Sequence, residues 1–412
     1  SRGLGDVYKR QVRTMAWNRP VNNSVHAPVR ALVLAGGGAR GSYQVGVWRA
    51  LTELGWRPGI ITGTSVGSLN GAMFALDLYE TARDMWLTIR SQDVMELPEQ
   101  NADLSELHAF LRDVVRQGGM DVSPLEEIVE RVLDEDALRA SPIRLGLVTV
   151  EQRGLKAREL ALDDIPHGKV KDYLLASAAC FPALRAHIID GVSYLDGGYR
   201  DNMPTALAQK MGADELVCVD LEGVGITRPN RTGLPTTLIR SYWELGDILH
   251  FDPDTARRNM ELGYYDTRRA MGCLRGCAYA VSCDARSCQD AAAFAWQFGQ
   301  QQKSVREKYP VTLTADLALR LANLKDAELA PLEAAAEDVG VDPTQFYTTE
   351  TLGKAFLEKC EKDRIESFAP LFEGSGRAAD AARAALLPNT FLQALVYLSL
   401  IHISEPTRRS YI

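Results

Sequence analysis

Between Arg30 and Asp220 short apolar runs alternate with longer stretches of helical period, the pattern of an α/β unit around a mainly parallel sheet. Arg30 to Ala35 (RALVLA) predicts a first strand, followed by a glycine turn and a helix over Ser42 to Leu54 that stops at Gly55. Gly59 to Thr62 predicts a second strand that feeds a turn at Ser65 and a helix through Leu76. Further helices are expected over Leu78 to Arg90, Leu104 to Arg116 and Pro124 to Leu133, the last with Ser123 as N-cap and Pro124 in the first turn. Ile143 to Val150 and Leu155 to Leu162 read as two strands around Gln152-Arg153-Gly154. Ala186 to Ile189 and Val192 to Leu195 read as a hairpin turning on Asp190-Gly191. Leu216 to Leu221 is expected to close the sheet region.

Beyond residue 225 the pattern changes. Thr227 to Pro235 is a polar, Pro/Gly-containing linker. The chain after this linker has helical spacing at Asp254 to Met271, Asp290 to Tyr309, Thr314 to Leu324, Leu329 to Val339 and Thr349 to Phe372. The expected organisation is an N-terminal tail over 1–28, an α/β catalytic domain over 29–225 and a mainly helical region over 226–397. Ser1 to Gln11 and Leu398 to Ile412 resemble translated sequencing-adapter read-through and are set aside, with Met15 a candidate start.

Composition narrows the function classes. The 412 residues carry a net charge of −8 and no Lys/Arg-rich run, so a nucleic-acid partner is not expected. The charge-free stretch from Pro58 to Leu76 is nearly long enough to span a bilayer, but about half of it is small or polar, which fits a buried turn instead. Seven cysteines without a secretory signal, with Cys180 and Cys218 in apolar runs, suit a reducing compartment, and the expected location is cytoplasmic.

Three motifs carry chemistry. Gly63-Thr64-Ser65-Val66-Gly67 is a G-x-S-x-G between a predicted strand and a predicted helix, the context in which a serine nucleophile sits on a strained turn with glycine on both sides. Gly36-Gly37-Gly38-Ala39-Arg40-Gly41 lies in a similar place and can gather backbone N–H groups into an anion cradle, for a phosphate or for the oxyanion of an acyl intermediate. Gly36, Gly38 and Gly41 satisfy G-x-G-x-x-G, yet Ile60, Ile61 and Thr62 stand where a dinucleotide fold wants an acidic residue, and no Gly-Lys-Ser/Thr comes after them. No cofactor is expected.

A serine nucleophile needs a base. Among His26, His108, His167, His187, His250 and His402, none comes after an Asp in the order a triad requires. Asp196-Gly197-Gly198 ends a predicted strand in a loop with Tyr199, Arg200 and Asn202, and is either a close-approach carboxylate or a plain turn. Cys273, Cys277, Cys283 and Cys288 crowd within 16 residues, but their gaps match no C-x-x-C pair, and no metal is expected. Trp243, Phe251, Tyr264 and Tyr265 are candidates for an acyl site or for core packing.

Taken in order, G-G-G-A-R-G, G-T-S-V-G and D-G-G, with Ala176 to Pro182 (ASAACFP) before the last, resemble the patatin-like phospholipases over about half the chain. The resemblance implies a three-layer patatin-like fold with a mainly parallel central sheet, here with a helical C-terminal extension. It implies a Ser-Asp dyad of Ser65 as nucleophile and Asp196 as base, with Gly36, Gly37, Gly38 and Arg40 around the oxyanion. In that reading Gly63 and Gly67 shape the elbow, and Gly197 and Gly198 the dyad loop. Arg40 either orients the loop, steers an anionic head group or caps the turn. The implied activity is hydrolysis of acyl esters of phospholipids and related lipids. The rivals are a small-ester esterase or acyltransferase with the same dyad, and a non-catalytic lipid-binding module. Peripheral membrane contact is in keeping with the substrate class, although a surplus of acidic side chains argues against electrostatic attachment to anionic lipid.

Overall fold

The strand RALVL is buried along its length, and its alternation of side chains sends Leu32 and Leu34 into one hydrophobic cluster and Ala31 and Val33 into another. Both faces of the sheet are therefore covered. In a computed structural model, which describes residues 27–95, 118–308, 314–368, 370–371, 384 and 387–404, the main sheet runs β5-β6-β3-β2-β1-β7-β8, with β4 beside β3. Its strands are β1 (Arg30–Leu34), β2 (Ile60–Thr64), β3 (Arg144–Glu151), β4 (Lys156–Ala161), β5 (His187–Ile189), β6 (Val192–Asp196), β7 (Glu215–Asp220) and β8 (Thr236–Arg240). β1, β2, β3, β7 and β8 are parallel neighbours, whereas β4, β5 and β6 join antiparallel at the β3 side.

The sheet does not close at Leu216–Leu221. After β7 the chain crosses back through Thr227–Pro235 and adds β8, so this Pro/Gly stretch is a connection within the sheet. The helix Pro253–Ala270 then packs on the helix Ser42–Glu53 at backbone contact: a Cβ on Gly46 would lie 1.8 Å from Met260 O, and one on Gly263 would lie 2.1 Å from Tyr43 O. Tyr43 donates to Asp266 at 2.7 Å inside that interface, and Asp266 also pairs with Arg269. Ile239, Leu245, Met260 and Leu262 accordingly belong to the same core as β1 and β2.

A second core gathers residues from Ala278 onward. The region is mainly helical, but a three-stranded sheet of Leu274–Arg275, Ala280–Ser282 and Phe346–Tyr347 interrupts it. Glu333 is fully buried and its Oε1 accepts the N–H groups of Cys277, Ala278 and Tyr279 at 2.8, 3.0 and 2.9 Å, which ties that loop to the helix Ala330–Asp338. The helix expected over Thr349 to Phe372 breaks after Lys359 and resumes at Lys362–Glu366. A helix over Pro388–Ser404 carries the chain past Leu398 into the segment read as adapter-derived, because the apolar run there extends a helix already started. The helix expected over Leu104 to Arg116, Met15 and the segment Ser1 to Gln11 lie outside the described residues.

Candidate active site

Ser65 sits between the last residue of β2 and the helix Val66–Ala75 with φ of 55°, a left-handed value that costs an L-residue free energy and aims its side chain out of the turn. Backbone passes so closely here that only glycine fits on either side. A Cβ on Gly63 would meet Gly67 O at 2.3 Å, and one on Gly67 would meet Leu34 O at 2.3 Å. The Ser65 N–H is held by Ser177 Oγ at 2.9 Å, and Ser177 in turn donates to Val148 O at 2.7 Å.

Asp196 ends β6 opposite Thr149 of β3, and its N–H donates to Ala179 O at 2.8 Å. The Gly198 N–H donates to its carboxylate at 2.7 Å, and Ser65 and Asp196 line the same pocket. Burial pushes the Asp196 carboxyl up to about 6, with the nearby Ser65 hydroxyl and the Gly198 N–H pulling the other way. Gly197 is required by the approach to β3, since a Cβ there would lie 2.3 Å from Val148 O. Asn202, also buried, joins this loop to the glycine loop: its carbonyl accepts the Gly36 N–H and its Nδ2 donates to Gly36 O, both at 3.2 Å.

That bond corrects part of the anion cradle read from sequence. The Gly36 N–H is spent on Asn202, and the Arg40 N–H on Gly37 O at 3.2 Å. The Arg40 side chain is turned away as well: it donates to Gly246 O at 2.8 Å, Leu221 O at 3.1 Å and Glu222 O at 2.7 Å. Among the described residues the N–H groups of Gly37 and Gly38 have no partner, and both residues line the pocket beside Ser65. Arg40 is thus a clamp on the loop rather than part of the cradle.

From Ser65 and Asp196 an apolar pocket, open to solvent at its mouth, runs between helices. Leu125, Ile128, Val129 and Val132 line it from one helix, Trp86 and Met85 from another, and Leu249 and Phe251 from the segment after β8. Of the aromatic candidates only Phe251 is here, stacked on Trp86 with ring centres 5.9 Å apart. Trp243 instead donates to Ala278 O in the second core, while Tyr264 donates to Glu53 and stacks under Arg49. Sequence reasoning missed Trp86 and Asn70, which join the pocket wall to the glycine loop: Trp86 Nε1 donates to Asn70 Oδ1 at 3.1 Å, and Asn70 Nδ2 to Gly41 O and Gln44 Oε1, each at 2.9 Å. Gln44 completes the chain by donating to Ala35 O at 2.8 Å.

Among the described residues no histidine lines the pocket. Cys180 lines the pocket, but burial and the neighbouring Asp196 push its thiol up to about 11, which keeps it protonated at neutral pH. Among the described residues no three His, Cys, Asp or Glu side chains are placed to hold a metal ion; Cys273, Cys277, Cys283 and Cys288 are free thiols.

Residues 32–208 match the family described as Patatin-like phospholipase. This segment is a patatin-like phospholipase domain. It takes in Gly37, Gly38, Ser65 and Asp196. The chain is similar to the lysophospholipase NTE1 of Coccidioides immitis, 27% identical over 57% of this chain and 14% of that protein. It is also similar to the patatin-like phospholipase domain-containing protein 7 of Rattus norvegicus, 30% identical over 46% of this chain and 13% of that one. The chain thus corresponds to a small part of the length of these relatives. Among solved structures, VipD of Legionella pneumophila aligns over 95% of this chain and 96% of its own, with 13% identity and a TM-score of 0.39, a likeness too distant to bear on the site. Among the described residues no helix is long and apolar enough to cross a membrane.

Proposed function

We propose that the protein is a serine acyl hydrolase, a carboxylic ester hydrolase acting on phospholipids or related lipids through a dyad of Ser65 and Asp196. The observation that carries this reading is the placement of Ser65 and the buried Asp196 carboxyl together at the head of a pocket walled by aliphatic and aromatic side chains.

Ser65 Oγ attacks the ester carbonyl carbon while its proton passes to Asp196. A carboxylate of ordinary pKa is a weak acceptor, and the shift to about 6 brings it closer to the working pH. The Gly37 and Gly38 N–H groups receive the negative charge that forms on the carbonyl oxygen, and the positive end of the helix Val66–Ala75 adds to it. Collapse of the tetrahedral intermediate expels the alcohol, which takes the proton from Asp196. Water then attacks the acyl-serine, giving its proton to Asp196, which returns it to Ser65 Oγ as the fatty acid leaves.

The aliphatic and aromatic wall of the pocket favours a long acyl chain over a small polar ester. The test is hydrolysis of a fluorogenic acyl ester and of a lysophospholipid by wild type, Ser65→Ala and Asp196→Asn. Loss of turnover in both variants, each about as large as the other, is expected of residues acting as a unit. Equal rates in wild type and Ser65→Ala would overturn the proposal.

A further inference from the structure

Val224 both lines the catalytic pocket and is 77% exposed, so one side chain belongs at once to the acyl site and to the outer surface. Two residues on, Ile226 is 53% exposed, and Leu155, at the tip of the turn between β3 and β4, is 42% exposed. These three come from segments far apart in sequence, yet both segments are fastened to the dyad loop. The Ile226 N–H donates to Gly198 O at 2.8 Å, the Asn202 N–H donates to Ile226 O at 2.8 Å, and Arg200 Nε donates to Leu155 O at 2.6 Å. Arg40 holds the near end of the loop by Leu221 O and Glu222 O.

The charges around these tips are arranged unevenly. Glu151 is paired with Arg158, and Glu222 with Arg240. Arg153, Lys156 and Arg200, by contrast, meet no acidic partner among the described residues, and Arg153 and Lys156 flank Leu155 in the same exposed turn. Asp247, beside the glycine loop, is the exposed acid nearest in sequence to that side of the pocket, and it is engaged in capping the Leu249 N–H at 2.7 Å. Whatever the overall charge of −8, the turn around Leu155 carries Arg153 and Lys156 without an acidic partner among the described residues.

We infer that this rim is a docking surface for an anionic lipid membrane, with Leu155, Val224 and Ile226 entering the acyl boundary and Arg153, Lys156 and Arg200 meeting head-group phosphates. The inference rests on the lipid-hydrolase reading only for its purpose; the surface itself is read from exposure and charge. Apolar tips gain by leaving water for the acyl layer, and each nearby cation adds attraction to an anionic leaflet. Docking would set the pocket mouth against the bilayer, so that an acyl chain passes from lipid to pocket along Val224 without crossing water.

The test is co-sedimentation of the full chain with phosphatidylcholine vesicles, with and without phosphatidylglycerol, alongside hydrolysis of a dissolved short-chain ester. Wild type and Ser65→Ala are expected to bind the mixed vesicles alike. Leu155→Asp with Ile226→Asp should weaken binding and vesicle-lipid hydrolysis tenfold or more while leaving the dissolved ester unaffected, and Leu155→Ser with Ile226→Ser serves the same purpose if the first pair does not fold. Arg153→Glu with Lys156→Glu should remove the preference for phosphatidylglycerol. Unchanged vesicle binding by the apolar double variants, or no binding by wild type, overturns the inference. Vesicle binding that depends on the rim in a protein with no Ser65-dependent hydrolysis would sink the hydrolase reading and leave the docking surface standing.

Discussion

Ser177 stands behind Ser65: its hydroxyl accepts the Ser65 N–H at 2.9 Å and donates its own O–H to Val148 O at 2.7 Å, so β3, the helix Val170–Ser177 and the strained elbow share one hydrogen-bond chain. A residue kept at a positive φ needs such a partner, because relaxation of the turn would release the strain and turn the hydroxyl away from Asp196. Ser177→Ala leaves the Ser65 N–H without its acceptor, at a cost of about 1–3 kcal/mol. We expect lower stability in denaturant and about a tenfold drop in kcat on a fluorogenic ester; unchanged kcat would show that the elbow holds itself.

The pH dependence is set by Asp196. The base must be ionised, so kcat/KM should fall as pH drops below about 6. For folding the sign is opposite. A carboxyl whose pKa rises from 3.8 unfolded to about 6 folded favours the native state below 3.8, and that contribution disappears as pH rises through 6. Relative to the protonated acid, the carboxylate present at pH 8 leaves the native state less stable by on the order of 3 kcal/mol. Asp196→Asn should therefore be inactive yet more stable than wild type at pH 8, with the difference vanishing near pH 4, as thermal melts across that range would reveal.

Gly38 has φ of +55°, and a Cβ there would lie 2.0 Å from Ile248 O, so Gly38→Ala must displace the loop that offers the free amides. Loss of an oxyanion donor lowers turnover by about 10²- to 10³-fold. Gly59→Ala is a fair control, since its Cβ would meet only Val29 at 3.6 Å. Comparable kcat in the two variants would exclude this loop as the oxyanion site.

Because Arg40 places its donors on three carbonyls, its role is to clamp the glycine loop to the segments 221–222 and 246. Arg40→Met should lower kcat on a neutral short-chain ester as strongly as on an anionic lipid. A defect confined to anionic lipids, seen as a raised KM, would restore head-group steering.

Ala72 lines the pocket two helical turns beyond Ser65, roughly 10 Å along the axis. Ala72→Phe should obstruct long chains while sparing short ones, so that the ratio of palmitoyl to butyryl ester hydrolysis falls at least tenfold. An unchanged ratio would place the acyl chain elsewhere.

The site was legible where chemistry constrains residue type locally. A serine between glycines, and glycines before a helix, are demanded by backbone passing within van der Waals contact, so they stand in the sequence as words. The pocket was not. Leu125, Ile128, Val129 and Val132 have the spacing of one helix face, and the sequence could say that this face is apolar but not that it faces a cavity. Gly36 and Arg40 matched the expected pattern yet bond elsewhere, because whether an amide is free depends on Asn202 and Gly37, which no local spacing reports. β8 was missed because TTLIR is short and comes after a Pro/Gly stretch that looks like the end of a domain, while its pairing partner lies in β7.

By itself the sequence determined the alternation of strand and helix and the positions of both glycine-bounded turns, since each depends on sterics within a few residues. Only the tertiary structure decided which amides remain free among the described residues and where the apolar pocket runs. Those properties belong to pairs of groups that the chain brings together from more than a hundred positions apart, as Arg40 with Leu221 and Gly36 with Asn202.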